Sequence, residues 1–129
     1  MIDFELEPQT VNLLDMYHAM AEHMVRPISR QYDEHEHEQP WDFWESTWAA
    51  SHNLASASGE QPALSSRNLY TCLTTEELCW GDAGLFLSIP NPGLGGAAVA
   101  AAGTPEQKAR FLSRFRHGTP KWAAMAITE

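Results

Sequence analysis

The chain has 129 residues, 43% hydrophobic and 19% charged, the composition of an ordinary globular domain with enough length to bury a core; disordered low-complexity and collagen-like classes are excluded. Its formal net charge is −9, and up to Glu60 only Arg26 and Arg30 oppose the carboxylates, so repulsion from phosphate backbones disfavours nucleic-acid binding as its role. Cys72 and Cys79 lie seven positions apart in a segment that reads as helix, hence about 10 Å apart and out of disulfide reach.

Val11, Leu14, Tyr17, Ala21, Met24 and Ile28 recur at steps of three and four, which predicts a helix over 8–32 with these side chains facing inward. Pro8 suits its first turn. Pro27 lacks an amide hydrogen and crowds the turn before it, so a kink or an end is expected near Val25 and Arg26. The run 33–39, Asp-Glu-His-Glu-His-Glu-Gln, repels itself in a helix and reads as an exposed turn or fraying end. Pro40 opens a short helix with Trp41, Trp44 and Trp48 on one face. Residues 51–66, rich in Ser, Ala, Asn, Gly and Pro, read as the longest loop.

With Ser65 or Ser66 as cap, the next helix carries Leu69, Leu73 and Trp80 as its apolar stripe and ends at Gly81-Asp82. Another apolar segment, 83–89, is broken at Pro90-Asn91-Pro92-Gly93. Residues 94–102 are small and apolar almost throughout, so their backbone can lie very close to something else. They are too few to span a bilayer. Gly103-Thr104-Pro105-Glu106-Gln107 is the clearest local signal. Gly103 suits the left-handed position that closes a helix, and Thr104 with Gln107 forms a capping box for the next one. Phe111, Leu112 and Phe115 then face inward, Arg114, Arg116 and His117 sit near the carboxyl end, and Gly118 closes it. After Thr119-Pro120, residues 121–127 carry Trp122, Met125 and Ile127 in the manner of a β-strand. A lone strand has no partner in a helical chain, so the polypeptide is expected to continue.

The fold class read from these elements is all-α: an up-down bundle of about five to six helices, ending in one strand that would start a β-domain. Residues 1–119 form the helical domain and 120–129 the strand. The absence of a signal-peptide pattern and two thiols without a pairing geometry point to a reducing, cytoplasmic setting. Clusters with chemical potential have plainer readings. His35-Glu36-His37-Glu38 offers imidazoles and carboxylates without a closed ligand shell, and His18 and His23 are five apart, so no metal site is assigned. Glu76-Glu77 lacks the Glu-x-x-His partner of a carboxylate-bridged bundle and reads as one exposed and one partly buried glutamate.

Gly103-Thr104-Pro105-Glu106-Gln107-Lys108-Ala109-Arg110-Phe111-Leu112, followed by Ala126-Ile127-Thr128-Glu129, resembles the acyl-CoA dehydrogenases. There a Gly-Thr-x-x-Gln-Lys-x-x-x-Leu stretch opens a helix of the N-terminal domain, and a strand ending in Thr-Glu enters a middle β-domain. Glu76-Glu77-Leu78 with Gly81-Asp82 is similar to that family's third long helix, Arg26-Pro27-Ile28 to its kinked first helix, and Pro40 with Trp44 to its second. The resemblance implies FAD against Met125, Ile127 and Thr128, and an acyl cavity lined by Phe86, Pro90 and Leu94. It implies α,β-dehydrogenation of an acyl-CoA thioester with hydride passing to flavin, and assembly with further polypeptide or a companion subunit into a homo- or hetero-oligomer. The family's carboxylate base lies in a C-terminal helical domain, so no catalytic residue is assigned in this chain, and Glu129 is not that base. The Gly-rich loop usual in the family is represented between 53 and 61 by Gly59 alone. A non-catalytic helical partner that completes a site on another chain is the alternative reading.

Overall fold

The computed structural model describes residues 5–57 and 67–126, and over them the chain is all-α. The expected cap at Ser65 or Ser66, most of the loop, and Ile127, Thr128 and Glu129 lie outside the described residues. The chain divides into two compact units, one holding α1 (Pro8–Met20), α2 (Arg26–Glu34) and α4 (Arg67–Ser88), the other α3 (Trp41–Ala57), α5 (Gly93–Ala102), α6 (Pro105–Leu112) and the segment after it.

In the first unit, α1 and α2 are joined by a π-helical turn at Ala21–Val25, which ends two residues before Pro27. Pro27 has no amide hydrogen for the carbonyl four residues back, so the ladder is interrupted there and the wider turn is tolerated. A π turn inserts one residue into the helical register, and the inward face advances accordingly. Ala21 and Val25 are fully buried, whereas Met24 and Val11, both expected on that face, are exposed. The inward stripe is therefore corrected from Met24 to Val25.

Val25 and Ala21 meet α4 at Gly81, where a methyl group would come within 3.0 Å of the Cβ atoms of both. The helices touch where a side chain is missing. Tyr17 faces Tyr70, His18 faces Glu77 and Ser29 faces Asp82, so α1–α2 and α4 run in the same direction. The buried face of α4 is Thr74, Leu78 and Leu85, and the expected stripe residues Leu69 and Trp80 are exposed. Thr74 is tolerated inside because its hydroxyl donates to the Tyr70 carbonyl at 3.0 Å. At Asp82 the backbone is extended (φ −171°, ψ 120°), and the carboxylate accepts from the Leu85 amide at 2.8 Å, so α4 is two helical stretches with Asp82 as the N-cap of the second. The expected end at Gly81-Asp82 and the new segment beyond it are both present.

In the second unit, α3 is longer than expected and takes in 51–57, the first part of the anticipated loop. Side chains with low helix propensity are held there. Ser51 donates to the Trp48 carbonyl at 2.8 Å, and the His52 ring reaches the carbonyls of Trp48 (2.6 Å) and Phe115 (3.1 Å). The Trp48 indole donates to the Gly118 carbonyl at 2.7 Å, and Gly118 has φ +88°. A side chain at that φ would be strained.

Helix α5 ends at Gly103, whose φ of −74° and ψ of 150° are extended rather than left-handed as expected. The chain goes straight into the cap of α6 and needs no reversal; glycine is required by crowding, since a Cβ would lie 2.6 Å from the Val99 carbonyl oxygen. The capping box is present in both directions: Gln107 donates its amide to the Thr104 hydroxyl at 3.3 Å, and the Thr104 amide donates to the Gln107 side chain at 2.8 Å. The Glu106 carboxyl is held below its ordinary value by its own main-chain amide and by the Thr104 hydroxyl. Thr104→Ala is expected to destabilise the chain by about 1 kcal/mol in urea denaturation. An unchanged midpoint would show that the cap is idle.

The strand expected over 121–127 is not formed across 121–126, which have no regular secondary structure. A strand exists through ladder bonds to a neighbour, and no described segment supplies one.

Candidate functional site

The C-terminal segment lies against the amino-terminal end of α5. A Cβ on Gly95 would sit 2.9 Å from the Ala124 carbonyl oxygen and 3.2 Å from the Ala123 side chain, and one on Gly93 would sit 3.0 Å from the Ala123 carbonyl oxygen. Gly93 also has φ +50°, and its amide donates to Asn91 Oδ1 at 2.6 Å, which turns the chain into the helix. Small residues at the start of α5 thus let backbone lie on backbone, as the composition of 94–102 implies.

This contact sets Leu94 and Met125, the chain neighbours of the touching residues, at one end of α5. Leu94 is 67% exposed and Met125 43% exposed. The amides of Met125 and Ala126 make no main-chain hydrogen bond among the described residues. Here, then, exposed apolar side chains adjoin extended backbone. Pro90, just before α5, is buried. Phe86 is half-buried in the last stretch of α4, in the other unit. Of the expected site residues, Leu94 and Met125 are each next in the chain to residues of this contact, and Ile127 and Thr128 lie outside the described residues.

One participant was missed by sequence periodicity. Trp122 packs edge-on to Trp44 with ring centres 4.9 Å apart and to Trp41 at 6.4 Å, while Trp41 and Trp44 meet at 5.1 Å. Next to it, Lys121 donates its ammonium to the carbonyls of Arg114 and His117, at 3.0 and 3.2 Å. Positive charge there satisfies carbonyls left open where the helix ends. These contacts fix the path of the extended segment. A Trp and a Lys inside an apparent strand gave no sign of them.

The first unit holds a polar network. His18 Nδ1 lies 2.7 Å from Glu77 Oε2, and its ring stacks on Trp80 at 4.4 Å. The Arg26 guanidinium lies 4.4 Å from the centre of the Trp80 ring and donates to the Trp80 carbonyl at 3.3 Å. Ser29 donates to the Asp82 carboxylate. Burial opposes charge on Asp82, but the Ser29 hydroxyl and the Leu85 and Gly84 amides outweigh it and hold the carboxyl below its ordinary value. Burial, aided by the hydrogen bond that Tyr70 donates to Tyr17 and by the charge of the Tyr17 phenol, pushes the Tyr70 phenol up to about 12. Glu77 is half-buried and Glu76 exposed, as read from the sequence. His18, Arg26 and Ser29 each have a partner on α4 and Tyr17 faces Tyr70, which makes the network a clamp between helices. Among the described residues, no three His, Cys, Asp or Glu side chains gather to hold a metal ion.

No solved structure matches the chain. The family model described as acyl-CoA dehydrogenase, N-terminal domain, matches residues 7–119. That span begins at the N-cap of α1, takes in all six helices, and stops at the extended segment that lies on α5. By this match over most of its length, the chain belongs to the acyl-CoA dehydrogenase family through its N-terminal domain.

Proposed function

We infer that the chain is the helical N-terminal part of an FAD-dependent acyl-CoA dehydrogenase and supplies one wall of its acyl and flavin cavity. The observation that carries this is the extended segment 121–126 lying against the start of α5, with Leu94 and Met125 both exposed. Such a segment suits a planar heteroaromatic ring, which needs an apolar contact and in-plane donors. In this reading Met125, Ile127 and Thr128 hold the flavin edge, while Phe86, Pro90 and Leu94 line the acyl cavity. FAD, when bound, accepts the hydride. The chain's own residues exclude water with an apolar wall and offer donors to the ring; the proton-abstracting base belongs to other polypeptide.

The test is to express the chain with the sequence that follows it in its gene, or with a companion subunit. The product should show flavin absorbance bands that bleach when an acyl-CoA is added without oxygen. Thr128→Ala should weaken FAD binding by roughly tenfold, the equivalent of one lost hydrogen bond of about 1.4 kcal/mol. A folded product without flavin bands would leave the chain as a helical interaction partner instead.

A further inference from the structure

We propose that the groove between α5 and α6 is a docking site for an acidic amphipathic helix of another protein, independent of the flavin reading. The groove has a volume of about 460 Å³, within the ordinary range for ligand sites. Ala98, Val99 and Ala102 from α5 and Phe111 from α6 give it an apolar floor, and Arg110 and Arg114 stand on its rim.

Charge identifies the occupant. Five of the eight Lys and Arg residues fall within 108–121, and that stretch holds no Asp or Glu, in a chain of net charge −9. Lys121 is occupied by the carbonyls of Arg114 and His117. Neither Arg110 nor Arg114 has a carboxylate partner among the described residues. Two guanidiniums one helical turn apart match two carboxylates one turn apart on a facing helix, and each pair can be bidentate. An apolar side chain between those carboxylates would then meet the floor, as in helix-in-groove recognition. The small side chains of α5 keep the floor shallow enough for a helix to lie close. The acidity of the rest of the surface disfavours nucleic acid and anionic membrane, which would meet repulsion beyond the patch.

The probe is a synthetic 18-residue helical peptide with Glu at one-turn spacing beside a Leu stripe, titrated into the full chain by fluorescence anisotropy. Binding should weaken at least tenfold between 50 and 300 mM salt, at least tenfold with Gln in place of Glu in the peptide, and at least tenfold in R110E/R114E. A peptide with Lys in place of Glu should bind R110E/R114E better than it binds the parent chain, with the variant's circular dichroism and urea midpoint unchanged. Ala102→Trp, at an exposed position, should block the floor while leaving circular dichroism unchanged. Equal binding of the Gln and Glu peptides would overturn the proposal. So would a parent chain that binds phosphatidylglycerol vesicles or duplex DNA more tightly than the Glu peptide.

Discussion

Gly81→Leu should destabilise the chain by about 3 kcal/mol, at the upper end of overpacking penalties. The reason is geometric. Even a methyl group at this position would come within 3.0 Å of the Ala21 and Val25 Cβ atoms and 3.1 Å of Val25 Cγ1. All three belong to fully buried residues, which can give by a few tenths of an ångström but not by the width of a branched side chain. A branched side chain has to push α4 away from the π turn and break the Ser29–Asp82 and His18–Glu77 contacts beside it. Gly81→Ala should be much milder, because a shift of a few tenths of an ångström relieves it and alanine gains up to about 1 kcal/mol in helix propensity. Urea denaturation should show a midpoint lower by roughly 1–3 M for Leu, given slopes of about 1–3 kcal/mol per molar, and a small change for Ala. If Leu and Ala behave alike, the close helix contact is not what holds this unit together.

Asp82→Ala should lower stability by about 2 kcal/mol at neutral pH, combining the loss of an N-cap with a Ser29 hydroxyl left without its acceptor. Asp82→Asn keeps an oxygen for the Leu85 amide and should retain most of that stability. The two forms part company with pH. The folded carboxyl titrates below its ordinary 3.8, so its contribution is complete above that value and is lost as the pH falls through the lower folded value. The aspartate form should therefore lose its advantage over the asparagine variant below pH 3.8, while both keep constant spacing from pH 5 to 7. A stability gap between aspartate and asparagine forms that is flat from pH 7 down to 2.5 would contradict the assigned role of the charge.

The local features of this chain were legible residue by residue. Pro27 announced the break in the first helix, Gly81-Asp82 the joint in α4, and Thr104 with Gln107 the start of α6. Each rests on main-chain chemistry that acts within four residues: a missing amide hydrogen, a side-chain cap, a reciprocal box. The family was legible for the same reason, since those signals in that order and spacing resemble the domain whose model matches residues 7–119.

Which faces turn inward was decided only by tertiary structure. Counting apolar residues selected Met24, Leu69 and Trp80, but the molecule buries Val25, Thr74 and Leu78 and closes the contact at Gly81. One extra residue in the π turn rotates the inward face of the first helix, and small residues rather than large ones mark where two helices touch. Neither effect has a signature in hydrophobic periodicity. The extended segment gives the same lesson: alternation predicted a strand, but a strand needs a second strand, and here 121–126 are held instead by Trp122 against Trp41 and Trp44 and by backbone against Gly93 and Gly95. Sequence by itself determined most of the helices, the capping box of α6 and the family, because those depend on neighbours along the chain. Only the folded chain decided the core and the packing of 121–126 on the start of α5, because those depend on residues far apart in sequence.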